Sequence, residues 1–96
     1  MFAKLKQFRD MRSKAKNLQN ILADEKVEAS AAWGKIKMTM NGNQTVESVT
    51  IDTELLADKE KLEKAVKEVT NEAIKKTQRV MAEKIKKEGG LNMPGL

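Results

Sequence analysis

The chain has 96 residues and carries 19 Lys and Arg against 14 Asp and Glu, a net charge of +5, with no His and no Cys. That length makes one small domain. The missing His and Cys exclude disulfides, thiolate or imidazole metal sites, cysteine nucleophiles and Ser-His-Asp arrangements.

Residues 3–25 predict an amphipathic helix. Phe8, Met11, Ala15, Leu18 and Leu22 recur at spacings of three and four, a heptad seam flanked by Met1, Leu5 and Ile21. At 100° per residue, Lys6, Arg9, Arg12 and Lys16 fall on an arc beside it. After Asp24-Glu25-Lys26 the apolar period changes to two. Val27, Ala29, Ala31 and Trp33 alternate with polar or small residues and predict a strand. Gly34 allows a turn, and residues 35–40 alternate cleanly with Ile36, Met38 and Met40 on one face. Asn41-Gly42 predicts a hairpin, because both residues tolerate positive φ. A third strand over 45–52 should place Val49 and Ile51 on the face of Ile36 and Met38. Val46 is out of phase, which calls for a longer loop or a bulge. Residues 53–57 read as a turn that sets Leu55 and Leu56 against the core. Asp58 is an expected N-cap. A second long helix runs from Lys59 to about Lys87, with a stripe of Leu62, Val66, Val69, Ala73 and Val80 that Ile74, Met81 and Ile85 widen. Gly89-Gly90 ends it, so residues 1–88 form the domain and 89–96 a flexible tail.

Charge is not spread evenly. Residues 1–20 hold six basic residues and one acid, and residues 75–87 again hold six and one, whereas residues 21–74 hold seven basic and eleven acidic. Two basic ends therefore flank an acidic middle, and the expected partner is polyanionic. The second helix, at about 43 Å, is also too long to be wrapped by so small a domain. Three strands leave sheet edges open. Both features favour a homodimer over a monomer with an apolar groove.

The chain resembles the YbaB/EbfC family of bacterial nucleoid-associated proteins from end to end. The resemblance rests on a basic N-terminal helix that opens Met1-Phe2, on residues 34–42 (GKIKMTMNG), 49–52 (VTID), 55–63 (LLADKEKLE) and 71–73 (NEA), and on the closing 89–96 (GGLNMPGL). It implies an α+β protomer of order α-β-β-β-α with a three-stranded antiparallel sheet and two long helices. It further implies an intertwined homodimer with projecting helical arms that binds duplex DNA on the cytoplasmic nucleoid. In that architecture both basic ends lie on one arm. Where the family often has several glycines before the second strand, this chain has Ala31, Ala32 and Trp33 before Gly34.

Phosphate contacts are then expected from Lys6, Arg9, Arg12, Lys16, Lys75, Lys76, Arg79 and Lys86. Core or dimer roles fall to Phe8, Met11, Leu18, Trp33, Ile36, Met38, Val49, Ile51, Val69, Val80, Met81 and Ile85. Duplex is favoured over single strands because stacking platforms need aromatics and the sheet offers one Trp. Trp33 reads as a core or interface anchor, or as a wedge between base steps. Asp58, Glu60 and Glu63 are better explained by the helix dipole than by a metal. No cofactor, small-molecule substrate, membrane contact or catalytic activity is expected. The rivals are a helical protein-protein interaction module or an RNA-binding protein without a DNA role, and a membrane-surface protein using the basic first helix.

Overall fold

The structure, a computed structural model, describes residues 2–87, with side chains from Leu5 onward. Its elements are α1 (Phe2–Ala23), β1 (Lys26–Ala31), β2 (Ile36–Asn41), β3 (Val46–Ile51), α2 (Thr53–Leu56) and α3 (Lys59–Lys87). The sheet is antiparallel in the order β1-β2-β3. The order is that expected, with one short helix added where a turn was predicted. The tail predicted over 89–96 lies outside the described residues.

Register explains which side chains share a face. Ala29 and Val49 both oppose Met38, and Ala31 and Ile51 both oppose Ile36. Directly opposed residues point the same way. An irregularity between Thr39 and Met40 lets Val46 oppose Met40, so the phase of Val46 is corrected by the expected bulge. Val27, Ala29, Ala31, Ile36, Met38, Met40, Val46, Val49 and Ile51 thus form one apolar face.

The core forms where α3 crosses this face. α3 packs on β1 and β2, burying Ala29, Ile36, Met38 and Met40 against Leu55, Ala65, Val69 and Ala73. The buried seam of α3 is Ala65, Val69, Ala73 and Thr77, spaced by four. Alanines at Ala29, Ala65 and Ala73 let helix and sheet approach closely. The predicted stripe is therefore corrected at one position. Val66 is 43% exposed, because at its level the seam runs through Ala65, and Val66 is turned about 100° from that residue. Val80, Met81 and Ile85 are half-buried. Thr77 takes a core place with its hydroxyl 2.9 Å from the Ile74 carbonyl oxygen and 3.7 Å from the Met40 sulfur.

β1 stops at Ala31 and does not reach Trp33, because Ala32, Trp33 and Gly34 all adopt left-handed backbone (φ +52°, +61° and +82°). Trp33 is fully exposed, so it lies outside the protomer core. The Asn41-Gly42 hairpin forms, but Gln44 takes the left-handed position (φ +62°). Asn41 Oδ1 accepts from the N–H groups of Asn43 and Thr45, at 2.9 and 3.2 Å. Gly42 is needed for a different reason: a Cβ there would sit 2.7 Å from the Leu22 carbonyl oxygen. Of the two leucines expected in the core, Leu55 is buried and Leu56 exposed. Asp52 caps α2, accepting from the Glu54 N–H at 2.9 Å. Asp58 caps α3 as predicted, accepting from the Lys61 N–H at 3.1 Å.

Candidate nucleic-acid interface

α1 is attached to the body at one end. Gly42 N–H donates to the carbonyls of Leu22 and Glu25 at 2.9 and 2.8 Å. The Asn43 side-chain amide donates to the Gln19 carbonyl at 2.9 Å. Lys84 Nζ pairs with Glu25 Oε1 at 2.8 Å. Leu22 is buried and Leu18 and Ile21 are half-buried, but residues 5–17 are exposed throughout. Phe8 and Met11, expected in a core or dimer role, are 65% and 50% exposed, so in the protomer they belong to an open helix face. The molecule is correspondingly long, 63 × 20 × 20 Å.

This places the basic residues in two groups. Lys6, Arg9, Arg12 and Lys16 stand on the projecting part of α1, exposed and without ion pairs among the described residues. Lys75, Arg79 and Lys86 are exposed on α3. At 100° per residue they fall within about 40° of one another, on the side away from the seam. Lys76 is held differently: its Nζ donates to the Glu28 carbonyl at 2.7 Å, which ties it to β1. Lys84, near the end of α3, pairs with Glu25 at the root of α1, so the α3 group ends beside the base of the arm that carries the α1 group. They follow one another along the molecule and do not lie side by side within one protomer.

α3 leaves β3 uncovered, and every residue of that strand is exposed. Val49 and Ile51, expected in the core or dimer interface, are 47% and 38% exposed. They continue the buried face of Ile36 and Met38 into solvent, and Val46 and Val66 are exposed with them.

A third feature lies at the opposite end of the sheet from the root of α1. Ala32, Trp33, Lys35, Leu55, Lys61, Lys64, Ala65 and Glu68 line a groove of about 390 Å³. Lys35 is engaged there by Glu54 at 2.7 Å. The hydrogen bond to that carboxylate, and then its charge, hold the ammonium pKa above its ordinary value. Sequence reasoning singled out Trp33 but missed this groove. The available signal was that Lys61 and Lys64 share the arc of Lys75, Arg79 and Lys86 on α3.

Among the described residues no group of acids is placed to hold a metal ion, and no described helix is long and apolar enough to cross a membrane.

The sequence model of the YbaB/EbfC DNA-binding family matches residues 1–91. The chain belongs to this family. A nucleoid-associated protein of Syntrophobacter fumaroxidans is 35% identical over 98 aligned residues, covering 99% of this chain and 89% of that protein. One from Staphylococcus carnosus is 41% identical over 76 residues, covering 76% of this chain and 72% of its own length. The crystal structure of an uncharacterized protein from Helicobacter pylori superposes with a TM-score of 0.68 at 21% identity, covering 91% of this chain and 98% of that one. It shares the fold.

Proposed function

We propose that this chain is a nucleoid-associated protein that binds duplex DNA as a homodimer, mainly through phosphate contacts, and works on the cytoplasmic nucleoid without catalysing a reaction. Membership of a DNA-binding family and relatives named nucleoid-associated proteins support the DNA partner. The observation that carries the phosphate mode is the run of exposed cations, without ion pairs among the described residues, on α1 and the far half of α3: Lys6, Arg9, Arg12 and Lys16, then Lys75, Arg79 and Lys86. Such side chains neutralise phosphates and release counterions at little desolvation cost. Lys76, tied to β1, contributes mainly its field.

The homodimer reading rests on β3. Its apolar residues Val46, Val49 and Ile51 lie on the core face, yet they stay 45%, 47% and 38% exposed among the described residues, and β3 there presents an unpaired sheet edge. A second copy seated there would bury that face and carry a second arm. The exposed seam of Phe8 and Met11 would then face either its own dimer or DNA.

A gel-shift titration tests the reading. Arg12→Glu with Arg79→Glu should abolish retardation of random duplex while the measured mass stays that of a dimer. With about 4 to 8 phosphates neutralised, log K should fall with log salt at a slope of roughly −4 to −7. Retardation unchanged by the double substitution, or a slope near zero, would overturn the phosphate mode. Affinity for a protein helix that persists at high salt, with no DNA bound at low salt, would point instead to an interaction module. Tighter retardation of RNA than of duplex DNA would point to an RNA-binding protein.

A further inference from the structure

We infer that Trp33 and the groove beside it form a stacking site for an unpaired nucleobase, with Lys61 and Lys64 receiving its flanking phosphates. The site would give this chain a single-strand contact distinct from the duplex contact of the basic helices. Three observations lead there. The first is where the ring stands. The only tryptophan of the chain sits at the apex of the β1–β2 turn, fully exposed and outside the core.

The second is the backbone that holds it there. Ala32 and Trp33 both have positive φ, a conformation costly for side-chain-bearing residues and more so for a bulky one. Glycine at position 33 would remove that cost. Strain of this kind, retained at an exposed aromatic, points to use and not to packing.

The third is what surrounds the ring. The groove has an apolar floor of Leu55 and Ala65, suited to one flat base. On its rim Lys61 and Lys64 carry no ion pair among the described residues, while Lys35 is engaged by Glu54 and Lys59 by Glu63. Glu68 is the one acid of the lining, and it favours a base, with its N–H donors, over a second phosphate. Lys61 and Lys64 fall on the same arc of α3 as Lys75, Arg79 and Lys86, about 37 Å away at the far end. One nucleic-acid partner can therefore run along a single face of α3 from the arm to Trp33. A flat ring flanked by cations is how single strands are held without sequence preference.

The inference rests on a nucleic-acid partner, as proposed above, and the test separates the two. Trp33 is its own reporter. The full chain is titrated with a short oligothymidylate, with an abasic oligomer of equal length, and with random duplex. Oligothymidylate should quench Trp33 emission; the abasic strand and the duplex should not. Trp33→Gly should fold at least as well as the parent. It should bind oligothymidylate about 5- to 150-fold more weakly, the range given by base–aromatic stacking, while retarding duplex as before. Lys61→Glu with Lys64→Glu should weaken oligothymidylate binding and flatten its salt slope.

Equal quenching by the abasic strand or by duplex, or undiminished oligothymidylate affinity of Trp33→Gly, would overturn the site. A blue-shifted Trp33 emission in the free protein that iodide cannot quench would also overturn it, since the ring would then be covered by the second copy. If duplex is retarded and oligothymidylate fails to quench, this inference alone falls. If neither is bound, the DNA-binding reading falls with it.

Discussion

Replacing Gly42 by Ala should loosen the arm from the body. The added methyl would lie 2.7 Å from the Leu22 carbonyl oxygen and 3.1 Å from both Leu22 Cβ and Cδ2. The nearest obstacle is backbone, so rotating a side chain does not relieve it. α1 must retreat by several tenths of an ångström, and this stretches the two hydrogen bonds that Gly42 N–H donates to Leu22 and Glu25. Overpacking of this kind costs about 1–3 kcal/mol. Loss of one of the two acceptors adds about 0.5–1.5 kcal/mol. For a chain of this size each kcal/mol lowers Tm by about 4–8 °C, so a fall of roughly 5 °C or more is expected. Melting should be followed by circular dichroism at fixed protomer concentration, since a dimer makes Tm concentration-dependent. Amide exchange should show lost protection at Gly42 and in the last turn of α1, with β1 and β2 less affected. Gly34→Ala is the control: it has nothing within 4 Å but a φ of +82°, so its cost is conformational, about 1 kcal/mol, and leaves α1 protected. A Tm for Gly42→Ala within about 2 °C of the parent, with exchange unchanged, would refute the close approach as the anchor of the arm.

Other expectations follow from single contacts. Val49→Asp puts a charge on the open β3 face and should yield a folded monomer by sedimentation; a dimer of unchanged affinity would place the interface elsewhere. Ala73→Leu, at a position with no exposure, should cost about 1–3 kcal/mol by overpacking, read from denaturant midpoints. Asp58→Ala removes the α3 N-cap and should cost about 1 kcal/mol with no effect on DNA retardation. The Lys35–Glu54 pair has a defined pH window. The folded state raises the Lys35 pKa above its usual 10.5, so its stabilisation is fully present below that value and is lost as pH rises through the raised one. Glu54→Gln should therefore melt below the parent at pH 8, and the difference should shrink above pH ~10.5.

Much of the fold could be read from period and phase. The heptad spacing of α1, the alternation of Ile36, Met38 and Met40, and the phase break at Val46 each translate into an element or a bulge through geometry that no partner can change. What period and phase do not reveal is the distance between elements. Ala65 and Thr77 look unremarkable beside Val66 and Val80, yet α3 approaches β1 closely enough to prefer small or compact residues on its seam. Gly42 reads as a turn glycine, and only the position of Leu22 shows that its missing Cβ makes room for α1. Trp33 continued the β1 alternation on paper, but three successive left-handed residues end the strand before it. The basic residues of the candidate interface were visible as charge clusters. That Lys76 is bound to β1, and that the α3 cluster ends beside the root of α1, needed the path of the chain.

The single-ended attachment of α1 has a mechanical consequence. A 22-residue helix is about 33 Å long, and one gripped only over its last two turns is a lever. A change of 10° at Gly42 and the Lys84–Glu25 pair moves the tip by about 6 Å, nearly two base-pair rises of duplex DNA at 3.4 Å each. The contacts that set this angle lie far from the cations they aim. Substitutions at Gly42, Asn43 or Glu25 could therefore retune the reach of the arm while every phosphate-binding residue stays in place.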